Sequence, residues 1–136
     1  MSNYLIFGAT SGIGDAILGR LMDHNTLVMV VRDLSKVSDN LKNKNIKFIE
    51  HDLINSSSLC EKLNQFEISR KFDGLIYSAG VENTLPIKYT NYENLLAIFN
   101  VNVLALHQSI KYFSQKKISN SNSSIVIISS IMSELG

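Results

Sequence analysis

The stretch Gly8-Ala9-Thr10-Ser11-Gly12-Ile13-Gly14 decides the fold of this chain. An apolar run at residues 4–7 precedes it directly, and residues 15–22 after it have the composition of a helix. A glycine turn between a strand and a helix lets backbone amides approach a phosphate, and the helix dipole there favours an anion. Such a pattern by itself also fits an ordinary turn, but the flanking strand and helix favour phosphate binding.

The glycines of this turn have different predicted roles. Gly8 would permit the tight turn, Gly12 would leave room for a pyrophosphate, and Gly14 would let the helix pack against the strand. The spacing Gly-x-x-x-Gly-x-Gly resembles the short-chain dehydrogenase/reductase family, in its compact one-domain branch. The family usually has Thr before the first glycine, where this chain has Phe7. The resemblance implies that further turn residues bind the cofactor: Thr10, Ser11 and Ile13.

Length and composition predict one globular domain spanning residues 1–136. Apolar residues make up 45% of the chain and charged residues 18%, which excludes a disordered or fibrous protein. The net charge of +1 gives no reason to expect nucleic acid or an acidic membrane as a partner. The apolar runs are shorter than the ~20 residues of a membrane helix, and the N-terminus has no signal-peptide pattern. We therefore expect a cytoplasmic protein.

The cysteine and the histidines predict neither a disulfide nor a metal site. Cys60 is the only cysteine, so no intrachain disulfide can form. It could be a catalytic thiol, but no histidine lies near it in the sequence, which favours a small residue on a helix. The histidines are scattered and lack the spacing of metal ligands: His24, His51 and His107.

Strand and helix patterns alternate along the whole chain. The predicted strands are mostly continuous apolar runs, typical of a parallel sheet covered on both faces: residues 4–7, 27–31, 46–50, 74–78 and 124–129. Helical stretches lie between them, at about residues 13–23, 35–43, 56–69 and 91–116. The alternation predicts an α/β fold, a Rossmann-like doubly wound parallel sheet with strand order 3-2-1-4-5. Ligands of such sheets bind at the carboxyl ends of strands 1 and 4.

The end of strand 2 indicates which nicotinamide cofactor binds. An acid there accepts hydrogen bonds from the ribose 2′-hydroxyl of NAD(H), whereas a basic residue neutralises the 2′-phosphate of NADP(H). The family's alignment places Val31 at the acid position, and Arg32 follows it, which favours NADP(H) over NAD(H). Two alternatives stay open. Arg32 could pair with Asp33 as a solvated turn residue, or a shift of one residue could bring Asp33 to the ribose.

Two more strand ends match cofactor motifs of the family. Asp52 and Leu53 follow strand 3, where the family has an Asp that meets the adenine amino group and then a backbone contact. Asp52 could equally cap the following helix. Strand 4 ends in Tyr77-Ser78-Ala79-Gly80, which resembles the family's Asn-Asn-Ala-Gly motif with both Asn positions changed. By this resemblance three residues border the cofactor: Ser78, Ala79 and Gly80.

The long helical stretch at residues 91–116 carries a candidate catalytic residue and a candidate interface. Thr90 and Glu93 have the spacing of a capping box at its start. Its apolar residues form more than one stripe, so we expect cover on two sides, and the resemblance implies a homo-oligomer that uses this helix. Asn102 matches the Asn that holds a water in the family's proton relay, although it could be a hydrogen-bonded core residue.

The end of strand 5 supplies the other candidate catalytic residue, Ser130. In the family the matching serine holds a substrate carbonyl, but paired serines at a strand end are often turn formers. The family's acid/base pair, Tyr-x-x-x-Lys, follows this serine, and residues 131–136 contain neither residue. Tyr112 and Lys116 have the spacing but precede the serine, and Tyr112 lies about 15 Å along the helix from Asn102. We assign them to a helix end rather than to catalysis.

The resemblance covers the whole chain but only the front part of the family, without its last strands. It implies an NADP(H)-dependent oxidoreductase that interconverts a small-molecule ketone and a secondary alcohol, with 3-oxoacyl reduction among the options. Because the chain lacks the acid/base pair, we expect it to be inactive by itself. Strand 5 would be an open sheet edge, so we expect assembly rather than a monomer. The alternatives are a non-catalytic nucleotide-binding module and a Rossmann-like domain for another nucleotide.

Overall fold

A computed structural model describes residues 1–10, 12–42 and 44–130 of the chain. Its parallel strands form one five-stranded sheet: β1 Asn3–Phe7, β2 Thr26–Val31, β3 Ile46–Glu50, β4 Phe72–Tyr77 and β5 Ser119–Ile127. The strand order is β3-β2-β1-β4-β5, which confirms the predicted Rossmann-like doubly wound sheet. The described residues contain no strand beyond β5.

Helices connect the strands on both faces of the sheet. They are α1 Gly12–Leu21, α2 Asp39–Lys42, α3 Ser56–Gln65, α4 Tyr92–Phe99 and α5 Ala105–Phe113. Two 3₁₀ turns lie at Leu34–Lys36 and Ile87–Tyr89, and a π-helical turn, Asn100–Leu104, joins α4 to α5.

Strand β5 begins at Ser119 rather than at the predicted residue 124. Residues 119–123 read Ser-Asn-Ser-Asn-Ser, which is a turn-like composition. An irregularity in the pairing of β4 with β5 accommodates them, and the Asn120 amide donates to the Asp73 carboxylate at 2.7 Å. The polar stretch can therefore pair as a strand because it lies at the edge of the sheet.

The predicted helix at residues 35–43 is interrupted. The Asp33 side chain caps the turn Leu34–Lys36, and the chain then becomes extended at Val37 before α2 begins at Asp39. Val37 is buried in the core between the sheet and α1. Burial of this side chain explains why the chain leaves the helical conformation there.

The predicted capping box at Thr90 and Glu93 is wrong. Asn91 is the N-cap of α4, and its side chain accepts a hydrogen bond from the Asn94 N–H at 2.8 Å. Thr90 instead ends the preceding 3₁₀ turn, where its N–H donates to the Ile87 carbonyl. Asn is as good an N-cap as Thr, and here it lies one residue nearer the helix.

Two apolar layers cover the faces of the sheet. Strand β1 shows the division, because Leu5 and Phe7 belong to the layer beneath α3 and α5, whereas Ile6 belongs to the layer beneath α1. Leu63 of α3 and Leu18 of α1 are each almost fully buried in their layers. Alternate residues of a strand point to opposite faces, so continuous apolar runs are what a sheet with two covered faces requires.

Part of the apolar surface of the chain is exposed. Helix α5 has buried residues but α4 has none, because α3 packs against α5 and the π-helical turn rather than against α4. Helix α4 is therefore uncovered within the described chain, and its cover by a partner subunit stays a prediction. Exposed apolar side chains lie on α4, on the π-helical turn and on β5: Leu95, Leu96, Phe99, Val103, Leu104, Ile125, Val126 and Ile127. Among the described helices, none has the length and hydrophobicity to cross a membrane.

Candidate functional site

The glycine turn between β1 and α1 is tightly packed on one side and open on the other. Gly8 has a φ of +77°, and a Cβ there would lie 2.4 Å from the Ala79 nitrogen. A Cβ at Gly14 would lie 1.9 Å from the Gly8 carbonyl oxygen. Gly12 has a φ of +56° and nothing within 4 Å of its Cβ position. The turn thus pairs close backbone contacts at Gly8 and Gly14 with free space at Gly12, and the binding of a pyrophosphate there stays a prediction.

Ser78 joins the ends of the two central strands. Its hydroxyl donates to the Phe7 carbonyl at 2.9 Å and to the Gly8 carbonyl at 3.1 Å, and its N–H also bonds to Phe7. Strands β1 and β4 are therefore held together at the point where the glycine turn begins. The Ser78 hydroxyl thus holds the backbone of the turn by hydrogen bonds, and Ser78 also lines the cleft.

A cleft of about 440 Å³ lies at the carboxyl edge of the sheet, a size in the range of small-molecule sites. It brings most of the predicted cofactor residues together: Gly8, Thr10, Arg32, Asp52, Leu53, Ser78, Ala79 and Gly80. Gly12, Ile13 and Gly14 lie beside it in the first turn of α1. The predicted Ser11 falls outside the described residues.

Asp33 is bound within its own turn. Its carboxylate accepts hydrogen bonds from the Ser35 N–H at 2.9 Å and the Ser35 hydroxyl at 2.6 Å, and lies 3.8 Å from the Lys36 ammonium. The bonds from Ser35 lower the pKa of Asp33. In the described part of the chain the ion pair of Asp33 is therefore with Lys36, not with Arg32 as one alternative had it.

Lys36 is a basic residue of the cleft that the sequence interpretation missed. It lines the cleft with Arg32 because the 3₁₀ turn Leu34–Lys36 folds the chain back after β2. A hydrogen bond from the Leu34 N–H to the Glu50 carboxylate at 3.0 Å holds this turn against the end of β3. The sequence signal was the spacing Arg-x-x-x-Lys, which an uninterrupted helix would also have placed on one face.

Asp52 both lines the cleft and caps a local turn. Its carboxylate accepts a hydrogen bond from the Ile54 N–H at 3.1 Å, and its carbonyl accepts one from Asn55. Asp52 is therefore not the N-cap of α3, which is Asn55, so the capping alternative is wrong; the Asp52 carboxylate instead stabilises the turn before that helix. The half-buried Leu53 lines the same wall, as does His51, to which the sequence analysis assigned no binding role.

Asn102 contacts the loop after β4 through both ends of its amide. Its oxygen accepts from the Val81 N–H at 2.8 Å, and its nitrogen donates to the Val81 carbonyl at 2.8 Å. A Cβ at Gly80 would lie 3.7 Å from the same amide oxygen. Asn102 is half-buried, and both Val81 and Val101 line the cleft. The side chain thus fixes the wall of the cleft next to Gly80.

Ser130 lies at the same edge of the sheet as the glycine turn. Strand β5 is paired with β4 as far as Ile127 opposite Tyr77, and the Ile128 N–H donates to the Tyr77 carbonyl at 2.9 Å. Ser130 follows two residues later and is exposed. The two candidate catalytic residues therefore both lie at this edge: Asn102 contacts Val81 after β4, and Ser130 follows the part of β5 that pairs with β4.

Tyr112 and Lys116 lie away from this edge. Tyr112 is 1% exposed in the core, and burial raises its pKa to about 12. Ile118, just after Lys116, accepts a hydrogen bond from Phe72 at the amino end of β4. Their assignment to a helix end is consistent with this position.

The described residues contain no cluster of side chains suited to a metal ion. Cys60 is half-buried on α3 and contacts the core, which fits the interpretation as a small helix residue.

The parallel sheet and its glycine turn define a Rossmann-like α/β protein. A profile of the short-chain dehydrogenase family matches residues 2–136. The chain therefore belongs to the short-chain dehydrogenase family, a family of oxidoreductases that use NAD(P)(H). A search of curated protein sequences found no match.

Solved structures of this family superpose well on the chain. A short-chain dehydrogenase family protein from Francisella tularensis is 25% identical with a TM-score of 0.82, covering 100% of this chain and 54% of that one. ElxO with NADPH bound is 27% identical with a TM-score of 0.74, and the match covers 96% of this chain and 56% of that one. Serine dehydrogenase from Escherichia coli is 20% identical with a TM-score of 0.82, and the match covers 97% of this chain and 63% of that one. At this identity the likeness shows the fold alone. The chain thus spans a little over half the length of these proteins.

Proposed function

We propose that this chain supplies the cofactor-binding part of an NADP(H)-dependent short-chain oxidoreductase. The observation that carries the proposal is the cleft itself, which brings the glycine turn, Arg32, Asp52 and Gly80 to one edge of the sheet. When bound, the cofactor would supply the hydride that interconverts a ketone and a secondary alcohol. The cytoplasmic location predicted from the sequence belongs to the same proposal.

The residues present fit such a cofactor. The space over Gly12 and the N-terminus of α1 suit a pyrophosphate, because backbone N–H groups and the helix dipole there favour negative charge. Asp52 and Leu53 line the cleft beyond β3, where an adenine would lie. Ala79 and Gly80 line it beyond β4 and leave room for a ribose.

The preference for NADP(H) rests on charge at the end of β2. Arg32 and Lys36 both line the cleft there, and a 2′-phosphate would meet two cations. Asp33, the acid that could instead bind a ribose hydroxyl, is bound by Ser35 and lies near Lys36. NADPH is bound in the ElxO structure, which is consistent with this preference.

The proposed chemistry assigns roles to two residues of this chain. Ser130 would hold the substrate carbonyl, and Asn102 would support proton delivery from its place beside Val81. Residues 131–136 contain no Tyr-x-x-x-Lys pair, so we expect no turnover from the 136-residue chain. Reduction of a 3-oxoacyl group is one option for the substrate. The exposed apolar side chains of α4 support assembly of a homo-oligomer through residues 91–116.

A second candidate function is binding without catalysis. The cleft described above is compatible with this function, because binding a nucleotide there does not require an acid/base pair. Both candidates predict that the chain binds NADPH, and they differ only in turnover. Turnover of NADPH with generic ketones by a chain extended past residue 136 would distinguish them, since only the first candidate predicts activity.

The test of the binding proposal is a fluorescence titration of the full chain with NADPH, NADH and AMP. We expect NADPH to bind more tightly than NADH or AMP. Arg32→Ala should weaken NADPH about tenfold, as expected for loss of a charge-assisted contact, and change NADH by less than about twofold. Arg20→Ala, at the exposed end of α1, is the matched control and should change neither. Equal affinity for AMP and NADPH would contradict the proposal.

A further inference from the structure

Tyr77 makes a buried contact that the family motif does not explain. It is the last residue of β4 and 1% exposed, and its hydroxyl donates to the Val101 carbonyl. Its ring packs against the ring of Phe7, which is its direct neighbour on β1, with centroids 5.3 Å apart. The aromatic ring is thus held by the sheet, and the hydroxyl reaches out of the sheet to the π-helical turn.

The π-helical turn is anchored at consecutive residues by different elements. Asn100 accepts a hydrogen bond from the Ser56 hydroxyl at the start of α3, at 2.7 Å. Val101 accepts the one from Tyr77, and Asn102 exchanges two with the backbone of Val81. A π-helical turn departs from regular α-helix geometry and is often found at functional sites. Here each of its first residues has a partner outside the helix.

Val101 both accepts the hydrogen bond from Tyr77 and lines the cleft. The Ala105 N–H bonds to the Asn100 carbonyl, five residues back, as a widened turn requires. A carbonyl oxygen has two lone pairs and can accept a side-chain donor besides a helical N–H. Val101 and Val81 both line the cleft, so a shift of the π-helical turn would move its wall.

We infer that Tyr77 is a positioning residue for the cofactor cleft. Its hydroxyl holds Val101, Val101 fixes the π-helical turn, and the turn holds Asn102 against Val81 in the wall next to Gly80. This inference rests on the proposed function for the identity of the ligand. The positioning of Val81 by Tyr77 concerns the free protein and can be measured without any ligand.

The first variant is Tyr77→Phe in the full chain, with Tyr112→Phe as the matched control. Both tyrosines are 1% exposed in the same core layer, and the described residues offer the Tyr112 hydroxyl no hydrogen bond. Amide hydrogen exchange of the free protein should become faster at Val81 and at Asn102 in Tyr77→Phe. Exchange in β1 and β2 should not change. A role limited to general stability would instead speed exchange throughout the sheet.

The second measurement is the Kd for NADPH. We expect Tyr77→Phe to raise it about tenfold, because a buried carbonyl loses its donor. Tyr112→Phe should change it by less than about twofold. In an Asn102→Ala background, Tyr77→Phe should add little, because both act through Val81 and effects within one network are not additive.

The outcomes separate the inference from the proposed function. If the unmodified chain does not bind NADPH, the proposed function fails, and hydrogen exchange still tests the role of Tyr77. If it binds NADPH, and Tyr77→Phe binds equally with unchanged exchange at Val81, the inference is wrong. If Tyr77→Phe does not fold, hydrogen exchange of the unmodified chain still tests the inference. A Val81 amide that exchanges as fast as an amide in an unstructured peptide would overturn the inference.

Discussion

Gly14 and Gly19 lie on the same helix, α1, and offer a matched test of how the glycine turn is packed. A Cβ at Gly14 would lie 1.9 Å from the Gly8 carbonyl oxygen and 2.6 Å from the Ser78 hydroxyl. A Cβ at Gly19 would have nothing within 4 Å. Gly14→Ala should therefore force α1 away from the turn, whereas Gly19→Ala should be accommodated without movement.

Two opposing effects determine the free energy of unfolding. Replacing a helical glycine by alanine stabilises by about 0.5–1 kcal/mol, and this gain applies to both variants. An added methyl group in a close-packed site costs about 1–3 kcal/mol. The nearest atom to the new Cβ of Gly14→Ala is a backbone oxygen, which cannot rotate away, so the upper end applies. We expect Gly14→Ala to lose about 2 kcal/mol and Gly19→Ala to gain up to about 1 kcal/mol.

Urea unfolding followed by circular dichroism measures this difference. With a slope of about 1–2 kcal/mol per molar urea, the two midpoints should differ by more than about 1 M. Gly14→Ala should also weaken NADPH binding, since the turn that it displaces forms the proposed phosphate site. Equal midpoints for the two variants, or a higher one for Gly14→Ala, would refute the packing described for the turn.

Two further predictions concern stability. Asn91→Ala should lower the free energy of unfolding by about 1 kcal/mol through loss of the N-cap of α4, while Thr90→Ala should change it little, as urea titration can show. Hydrogen bonds from Asn3 and Asn120 and the Arg70 charge lower the folded-state pKa of Asp73. The ionised Asp73 carboxylate therefore stabilises the folded state fully at pH values above its unfolded-state pKa, and this contribution is lost as the pH falls through the lower folded-state pKa. Asp73→Asn removes the group, so the free energy of unfolding should fall less steeply with acid below about pH 4 than it does in the unmodified chain.

The sheet could be predicted because its sequence signals are local and consistent. Continuous apolar runs at regular intervals define the strands, and the order 3-2-1-4-5 is the one typical of a Rossmann-like sheet that begins with a glycine turn. The glycine turn was also predictable, since the backbone conformation at Gly8 and the contact at Gly14 exclude a side chain. These features depend on a few neighbouring residues and on rules common to all parallel sheets.

The remaining features depend on contacts between distant segments. The start of β5 at Ser119 requires pairing with Phe72, and the break at Val37 requires a core on the α1 side of the sheet. Lys36 reaches the cleft because the 3₁₀ turn Leu34–Lys36 folds the chain back after β2. Ser119 pairs with Phe72, and Val37 is buried in a core that includes Leu18, so both features depend on distant residues and periodicity carries no signal for them.

Two of the departures from the family pattern, Phe7 and Tyr77, are best understood as one feature. Considered one position at a time, Phe7 and Tyr77 each weaken the resemblance, because the family has a small or polar side chain at both. The β1–β4 register places them directly opposite each other, and their rings cover each other in a layer that admits no solvent. A large ring at only one of these positions would leave a void beside a smaller neighbour. The pair keeps the layer filled, and its one polar atom then has to find a buried acceptor, which Val101 provides.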